Sequence, residues 1–533
     1  MLYVQAYQTV VWLKYLRGMN MLRTRAVPRD SGSVRALVVV SVLALAASAC
    51  GSSTKSSTAT TAAASSASAA ATTAGGPATT AGTGSATTPA ATAPGTTNAT
   101  GSASGTTTPG TTAGGATPTT PGLADAISKA NDTVKSDPLY GKAASGSTRG
   151  VTDTTVKIGC IYESANYAGF EDAVKADFKL AAINGRTLSV LPCEDDAGDP
   201  ANTLTIAKRL VEQDQVFGII TATQGMSPAV ATYLNDNETP YVGWGFVDAF
   251  CGKRWAFGFD GCLNGLFSDP KAVPHAYVNP YLVQPMVENS GLAAKDVRAA
   301  IVGSDNDAGR GGNANYSTLF KNLGATVVYA EAVVPVPGPT TDYTPFVTAV
   351  LAKTPNIILI STQFSDVGGL TAALKAAGYK GAIMNFVAYV PGLLDSLPQL
   401  ATALDGTYVL ASLVPEEQQN AYIKLVEDAL EKSGAKTGRF ITFGGALGFV
   451  MADQMSSMIK AAGQKLDTKT FDTAVNGGTY QYTAPGSGGP CPITFPGAHF
   501  YSASGSALVK VVSGKFQVVS PYTCYAPVLQ ARG

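Results

Sequence analysis

The chain is poor in the side chains that most often carry catalysis and metal binding. Among its 533 residues there are two histidines, His275 and His499, and neither a CxxC pair nor a Gly-x-Ser-x-Gly motif occurs. Catalytic triads depend on a histidine base, and zinc sites take histidine and cysteine ligands at short spacings. We therefore expect that the protein is not an enzyme and that it holds no metal or cofactor.

An excess of either charge is also missing. The 37 basic and 37 acidic residues give a formal net charge of zero at neutral pH. A protein that binds nucleic acid presents a basic face to the phosphates. The balance therefore argues against a nucleic-acid partner.

No apolar run near the start is long enough to cross a bilayer. The run Ala36–Ala49 has about 14 residues, whereas a membrane-spanning helix needs roughly 20. Four arginines precede it: Arg23, Arg25, Arg29 and Arg35. A basic segment before a short apolar run is typical of a signal peptide. We assign residues 1–49 to a signal peptide with an upstream extension.

Two interpretations of the next residues stay open. Ala47-Ser48-Ala49-Cys50 resembles the bacterial lipobox, in which the cysteine becomes the lipidated first residue of the mature protein. The alternative is an ordinary signal peptide cleaved after Ala49. We favour lipidation of Cys50, because the tract that follows suits a tether. The protein would then be anchored to the outer face of the cell membrane.

Residues 50–150 are interpreted as a disordered linker. From Ser52 to about Thr120 the chain is nearly all Ser, Thr, Ala, Gly and Pro, without an aromatic residue. Such a composition cannot bury enough apolar surface to offset the entropy of ordering.

Seven cysteines are an odd number, and assigning Cys50 to lipidation leaves six. Six cysteines allow fifteen connectivities, and disulfides are expected in an exported protein. We predict Cys251 with Cys262, Cys491 with Cys524, and Cys160 with Cys193.

Strands and helices alternate through the rest of the chain. Strands are predicted at residues 155–161, 188–191, 216–221 and 240–243, then at 297–302, 326–330, 356–361 and 382–386. Asp199 and Ser227 are expected to begin helices, each with a proline in the first turn. A polar Gly-rich loop is expected at 304–312, before a helix from Ala314 to Leu323. This alternation predicts an α/β protein with two doubly wound parallel-sheet lobes.

Several motifs in this order resemble those of the type I periplasmic binding proteins, in particular the branched-chain amino-acid-binding branch of ABC importers. They are Val156-Lys157-Ile158-Gly159, Asp195-Asp196-Ala197-Gly198-Asp199-Pro200, Phe217-Gly218-Ile219-Ile220, and Asp342-Tyr343-Thr344-Pro345-Phe346 before Pro355-Asn356-Ile357-Ile358. The resemblance covers most of residues 153–465.

The resemblance implies two lobes joined by three crossovers, with a small ligand in the cleft between them. We place the first lobe approximately at 151–278 plus 408–533 and the second at 279–407. The implied function is that of a monomeric solute-binding protein that delivers an amino acid, amide or organic acid to an ABC permease. The alternative is a sensor that signals to a partner, because the same fold also serves receptors.

The resemblance also points to residues in the first lobe. The family's loop after the third strand grips the ligand carboxylate, which implies Ala222, Thr223 and Gln224; the alternative is a simple capping turn. Trp244, Gly245 and Phe246 follow the next strand, and their alternative is packing in the core. Asn166 and Tyr167, after the first strand, are further candidates for facing the cleft.

In the second lobe the candidates are Phe364 and Asp366, which follow a strand. The family often places an acidic residue here for the ligand's α-ammonium group, and Asp366 takes this position. The alternative is that Asp366 caps the helix that follows it.

Overall fold

The computed structural model describes residues 116–180, 182–336 and 338–532. The predicted signal peptide, Cys50 and residues 50–115 lie outside the described residues. The helices are α1 Leu123–Val134, α2 Phe170–Phe178, α3 Pro200–Glu212, α4 Pro228–Asp236, α5 Gln284–Glu288, α6 Asp307–Asn322, α7 Thr344–Leu351, α8 Phe364–Ala376, α9 Leu393–Ser396, α10 Pro398–Leu404, α11 Ala421–Ser433, α12 Phe443–Ala461 and α13 Thr468–Asn476. The strands are β1 Thr155–Tyr162, β2 Thr187–Val190, β3 Glu194–Asp195, β4 Gly218–Ala222, β5 Tyr241–Gly243, β6 Ala256–Gly258, β7 Ala276–Val278, β8 Arg298–Ser304, β9 Thr326–Val334, β10 Ile357–Ser361, β11 Ala382–Asn385, β12 Tyr408–Ala411, β13 Gln481–Tyr482, β14 Ile493–Thr494, β15 Gly505–Val512, β16 Lys515–Cys524 and β17 Val528–Gln530.

The first lobe is built on a parallel sheet in the order β2-β1-β4-β5-β6, with the short β3 also paired to β1. All five residues of β4 are buried, since helices cover both faces of the sheet. The order places the carboxyl ends of β1, β4 and β5 side by side at one edge.

The second lobe has a seven-stranded sheet in the order β16-β15-β12-β11-β10-β8-β9. Strands β8 to β12 pair in parallel, and β15 and β16 add an antiparallel edge. The predicted α/β class with two doubly wound lobes is confirmed.

Three crossovers connect the lobes, but the predicted boundary at residue 408 is wrong. Strands β12, β15 and β16 pair within the second sheet, so residues 408–411 and 505–524 belong to the second lobe. Only the intervening helices return to the first lobe, where α12 packs against α2, β4 and β5. The sequence pattern shows a helix and its apolar face but does not show which sheet the helix covers.

Residues 116–150 are not the linker that composition predicts, because they pack on the folded body. Helix α1 buries Ala130 and Val134 in the main core. The N–H of Thr120 donates to the carbonyl of Cys524, and the N–H of Cys524 donates to the carbonyl of Pro118. Lys142 forms a salt bridge with Glu238. The few apolar residues after Gly122 are enough for this segment to fold, because the core of the lobes provides a surface on which they are buried.

The predicted helix starts at Asp199 and Ser227 are confirmed. The Asp199 side chain accepts from the backbone N–H groups of Ala201 and Asn202, and Ser227 accepts from Val230. The predicted Gly-rich loop at 304–312 is wrong in its second half, since α6 already begins at Asp307. Asn306 caps this helix through the N–H of Gly309, and the cap outweighs the low helix propensity of glycine.

The three predicted disulfides are present. Cys160 pairs with Cys193 in the first lobe, Cys251 pairs with Cys262, and Cys491 pairs with Cys524 at the third crossover. Within the part of the chain that the structure describes, no helix is both long and apolar enough to cross a membrane.

Candidate ligand-binding cleft

The candidate site lies at the carboxyl edge of the first sheet, where ligands of open α/β sheets bind. The β1–β4 pairing continues past both strands, because the N–H of Glu163 donates to the carbonyl of Ala222 at 3.0 Å. Of the predicted loop residues, Ala222 and Thr223 are buried and Gln224 is exposed. The Thr223 hydroxyl accepts from the N–H of Gly225 at 2.8 Å and holds the turn that leads to α4.

A buried carboxylate supports this loop from below. Asp196 is fully buried and accepts from the N–H of Gly198 at 2.9 Å and from the hydroxyl of Thr203 at 2.6 Å. A Cβ at Gly225 would lie 2.0 Å from the Thr203 hydroxyl oxygen, so the close approach of the two loops requires glycine. Asp196 therefore braces the site rather than facing a ligand.

The neighbouring Asp195 is also held by the protein. It accepts from the backbone and the hydroxyl of Ser164 and from the N–H of Ala197. Burial alone would raise the pKa of Asp195, but these hydrogen bonds outweigh it and lower the pKa.

Glu163 is a site residue that the sequence did not single out. Its carboxylate accepts from the side-chain amide of the exposed Asn166, and Oε2 lies 3.2 Å from the position of a Cβ on Gly198. Burial and the nearby Asp196 raise the pKa of Glu163, and the N–H of Gln224 partly offsets the rise. The sequence signal that could have identified Glu163 is its position directly after β1, at the carboxyl end of a parallel strand.

Four aromatic rings pack against one another in a chain of contacts that starts at Tyr167, whose backbone N–H donates to the carbonyl of Glu163. We call Tyr167, Trp244, Phe246 and Phe443 the aromatic cluster. The Tyr167 and Phe443 rings lie 6.1 Å apart, Trp244 and Phe443 5.8 Å, and Trp244 and Phe246 5.0 Å between centroids. Tyr167 is buried, whereas the side chains of Trp244, Phe246 and Phe443 are half-buried.

Sequence reasoning missed Phe443, because this residue begins α12 far along the chain. Thr442 caps the helix by accepting from the N–H of Gly445, and its hydroxyl donates to the carbonyl of Ala168 at 2.6 Å. These two bonds tie the start of α12 to the β1–α2 loop. Only this tertiary contact brings Phe443 to the ring of Tyr167.

The predicted Gly245 is buried and fixes the backbone below Trp244. Its N–H donates to Asp260 at 2.7 Å, and a Cβ here would lie 1.7 Å from the carbonyl oxygen of Gly261. Burial raises the pKa of Asp260 to about 7, although hydrogen bonds to the carboxylate oppose the rise. Gly245 therefore positions the aromatic cluster through its backbone.

In the second lobe the structure assigns Asp366 to neither predicted role. The N-cap position of the helix is Gln363, three residues before Asp366, and the Asp366 side chain is fully buried. Its carboxylate accepts from the N–H of Thr340 at 2.7 Å and from the hydroxyl of Tyr343 at 2.8 Å. Asp366 thus holds the 338–343 loop and presents no surface to a ligand. Phe364, in the same turn, is half-buried.

The lobes also meet at a small apolar cavity of about 10 Å³ near the second crossover. Tyr389 of the second lobe, Val414 of the crossover and Phe443 of the first lobe contribute to its lining. A cavity of this size holds about one water molecule. Among the described residues, no group of three or more His, Cys, Asp and Glu side chains is arranged to hold a metal ion.

A family model described as "Periplasmic binding protein" matches residues 155–510. The chain belongs to the periplasmic binding protein family. This family consists of extracytoplasmic solute-binding proteins rather than enzymes, and their ligand cleft lies between two lobes of the kind described above. No curated protein sequence matches the chain.

Solved structures show the same fold. A solute binding protein from R. palustris in complex with 4-hydroxybenzoate is 20% identical, with a TM-score of 0.52, over 69% of this chain and 97% of that one. A leucine binding protein from Thermotoga maritima is 16% identical, with a TM-score of 0.52, over 69% and 99%. A solute binding protein from Rhodopseudomonas palustris BisB5 in complex with 3,4-dihydroxybenzoic acid is 18% identical, with a TM-score of 0.53, over 71% and 98%.

Proposed function

We propose that this periplasmic binding protein is the solute-binding component of an ABC importer. It binds a small amino acid, amide or organic acid with an apolar body in the cleft between the two lobes. Binding favours the closed arrangement of the lobes, and the permease distinguishes that state from the open one. Two of the similar structures are solute binding proteins of ABC transporters, and a third is a leucine binding protein.

The aromatic cluster is the observation that carries this proposal. Three half-buried rings at the carboxyl edge of a sheet form an apolar face for a ligand, and polar groups beside them set its orientation. Two of the similar structures hold hydroxylated benzoic acids, which have a flat apolar body of suitable shape. The alternative remains a sensor that uses the same cleft but signals to a partner protein.

A thermal-shift screen of the chain from residue 116 tests the binding function. The panel contains leucine, benzoate, 4-hydroxybenzoate, benzamide, benzamidine and simple sugars. A ligand at 100 times its Kd stabilises the folded state by about 2.7 kcal/mol. Trp244→Ala is expected to abolish this shift, whereas Phe267→Ala, an exposed ring outside the cluster, should leave it unchanged. A panel without any stabilising compound would contradict the proposal.

Delivery and anchoring need separate measurements. We propose that Cys50 carries the lipid, that the protein acts as a monomer, and that the permease is its membrane partner. Mass spectrometry of the mature N-terminus separates a lipidated Cys50 from a free terminus. Loss of uptake of the identified ligand after deletion of the gene supports transport, and unchanged uptake favours the sensor.

A further inference from the structure

Glu163 differs from its neighbours Asp195 and Asp196 in lacking a full set of donors. Asp260 shares this feature with its Oδ2. Asp195 and Asp196 each accept bonds from backbone N–H groups and a hydroxyl. Glu163 accepts at Oε1 from Asn166, whereas its Oε2 is buried without a hydrogen-bond partner among the described residues. A buried carboxylate oxygen without a donor lowers the stability of the folded state, because its hydrogen bonds to water are lost and not replaced.

The surroundings make this carboxylate a poor neighbour for a ligand anion. Asp195 and Asp196 lie close enough to raise the pKa of Glu163 by charge repulsion, in addition to burial. The backbone N–H of Gln224, a residue that the family resemblance assigns to a ligand carboxylate, lies near enough to the Glu163 carboxylate to oppose the rise in its pKa. A carboxylate ligand at this loop would add a further negative charge to the group.

The aromatic cluster begins directly beside Glu163. The N–H of Tyr167 donates to the Glu163 carbonyl at 3.0 Å, and the Glu163 carboxylate contributes to the raised pKa of the Tyr167 hydroxyl after burial. The faces of tyrosine, phenylalanine and tryptophan attract cations, because the ring quadrupole is negative at the face. An acid next to a cluster of rings, three of which are partly exposed, is a combination that suits an organic cation.

We propose that Glu163 receives a positively charged N–H donor of the ligand, a primary ammonium or amidinium group, while the ligand's apolar body lies on the aromatic cluster. This inference rests on the proposed solute-binding function and narrows its ligand class. It moves the cation contact to the first lobe from Asp366, whose Oδ1 already accepts from Thr340 and Tyr343 and whose Oδ2 accepts from Ser365.

Three compounds of nearly equal shape test the charge preference: benzamidine, benzamide and benzoate. We expect wild-type protein to bind benzamidine most tightly and benzoate least, measured by calorimetry at pH 7 in the chain from residue 116. In Glu163→Gln, benzamidine should bind at least about tenfold more weakly, which is the effect of losing one hydrogen bond to a charged group. Benzoate should bind as well as before or better, because the repelling charge is gone.

The matched control is Glu171→Gln, which removes the same charge from the adjacent α2, where Glu171 pairs with Lys175. It should leave the order of the three compounds unchanged. Wild-type protein that prefers benzoate, or a benzamidine affinity equal in both variants, overturns the role of Glu163 and leaves solute binding intact. If none of the three binds while a sugar does, the organic-cation assignment is wrong. If only leucine binds, its ammonium group is the cation, and an unchanged leucine affinity in Glu163→Gln overturns the role of Glu163. A blank for the whole screening panel overturns the proposed function itself.

Discussion

Removal of residues 116–150 is expected to destabilise the folded body strongly. This segment buries Val134 and supplies partners to side chains deep in the first lobe. The carbonyl of Lys142 accepts from the indole N–H of Trp255 at 3.0 Å, and Ser145 donates to Glu238 from both its backbone and its hydroxyl. The hydroxyl of Tyr501 donates to Asn131 at 2.6 Å.

The magnitude follows from these contacts. Trp255, Glu238 and Tyr501 are 0%, 3% and 0% exposed, so each loses a partner inside the protein. A buried polar group left without its partner costs about 1–3 kcal/mol, and burial of a valine side chain contributes about 1.5–3 kcal/mol. Water can reach part of the uncovered surface, which favours the lower values. The sum is about 5 kcal/mol, a large part of the 5–15 kcal/mol that typically stabilises a folded protein.

Urea denaturation of two shortened chains measures this effect. The chain from residue 151 should unfold at a clearly lower urea concentration than the chain from residue 116, which keeps every one of these contacts and is the control. Val134→Ala in the longer chain should lower the midpoint by a smaller amount, since only two methyl groups are removed. Equal midpoints for the two chains would refute the reasoning, because the segment would then contribute nothing to the core.

Two further predictions concern the first lobe. Burial raises the pKa of Asp453 to about 6 and that of Asp177 well above its ordinary value, so both contribute stability that is complete below pH 4 and is lost as the pH rises through the folded-state pKa. Asp453→Asn should therefore raise the free energy of unfolding at pH 8, on the order of 2 kcal/mol, and change it little at pH 4. Thermal unfolding at both pH values measures this difference. An equal effect at the two pH values would contradict the prediction. Gly225→Ala places a Cβ against the Thr203 hydroxyl, so it should lower the free energy of unfolding by about 1–3 kcal/mol and weaken ligand binding. The control is Gly311→Ala, which lies in a helix with open space around its Cβ and should be neutral or stabilising. If Gly225→Ala melts at the wild-type temperature, the close approach of the two loops is not required.

The order of strands and helices could be predicted because the residues that define each element lie within or next to that element. The apolar run of β4 and the capping side chains of Asp199 and Ser227 lie within the segments that they define. The composition of residues 116–150 wrongly predicted a disordered linker, because their few apolar residues fold only when they pack against the two lobes. The sequence also did not predict that residues 408–411 and 505–524 belong to the second sheet. Strands that pair across a long insertion leave no pattern in the sequence near either strand.

The sequence by itself determined the α/β class and the doubly wound lobes, and the pairing that we expected for six of the cysteines agrees with the structure. These features depend on spacing along the chain. Only the tertiary structure decided which acidic side chains are satisfied by donors of the protein itself. Asp366 is covered by Thr340, 26 residues earlier in the chain, whereas Glu163 is left with an oxygen that no described residue satisfies. The donors that reach a carboxylate come from loops that the fold brings together, so its role as a brace or as a ligand contact is a property of the folded protein.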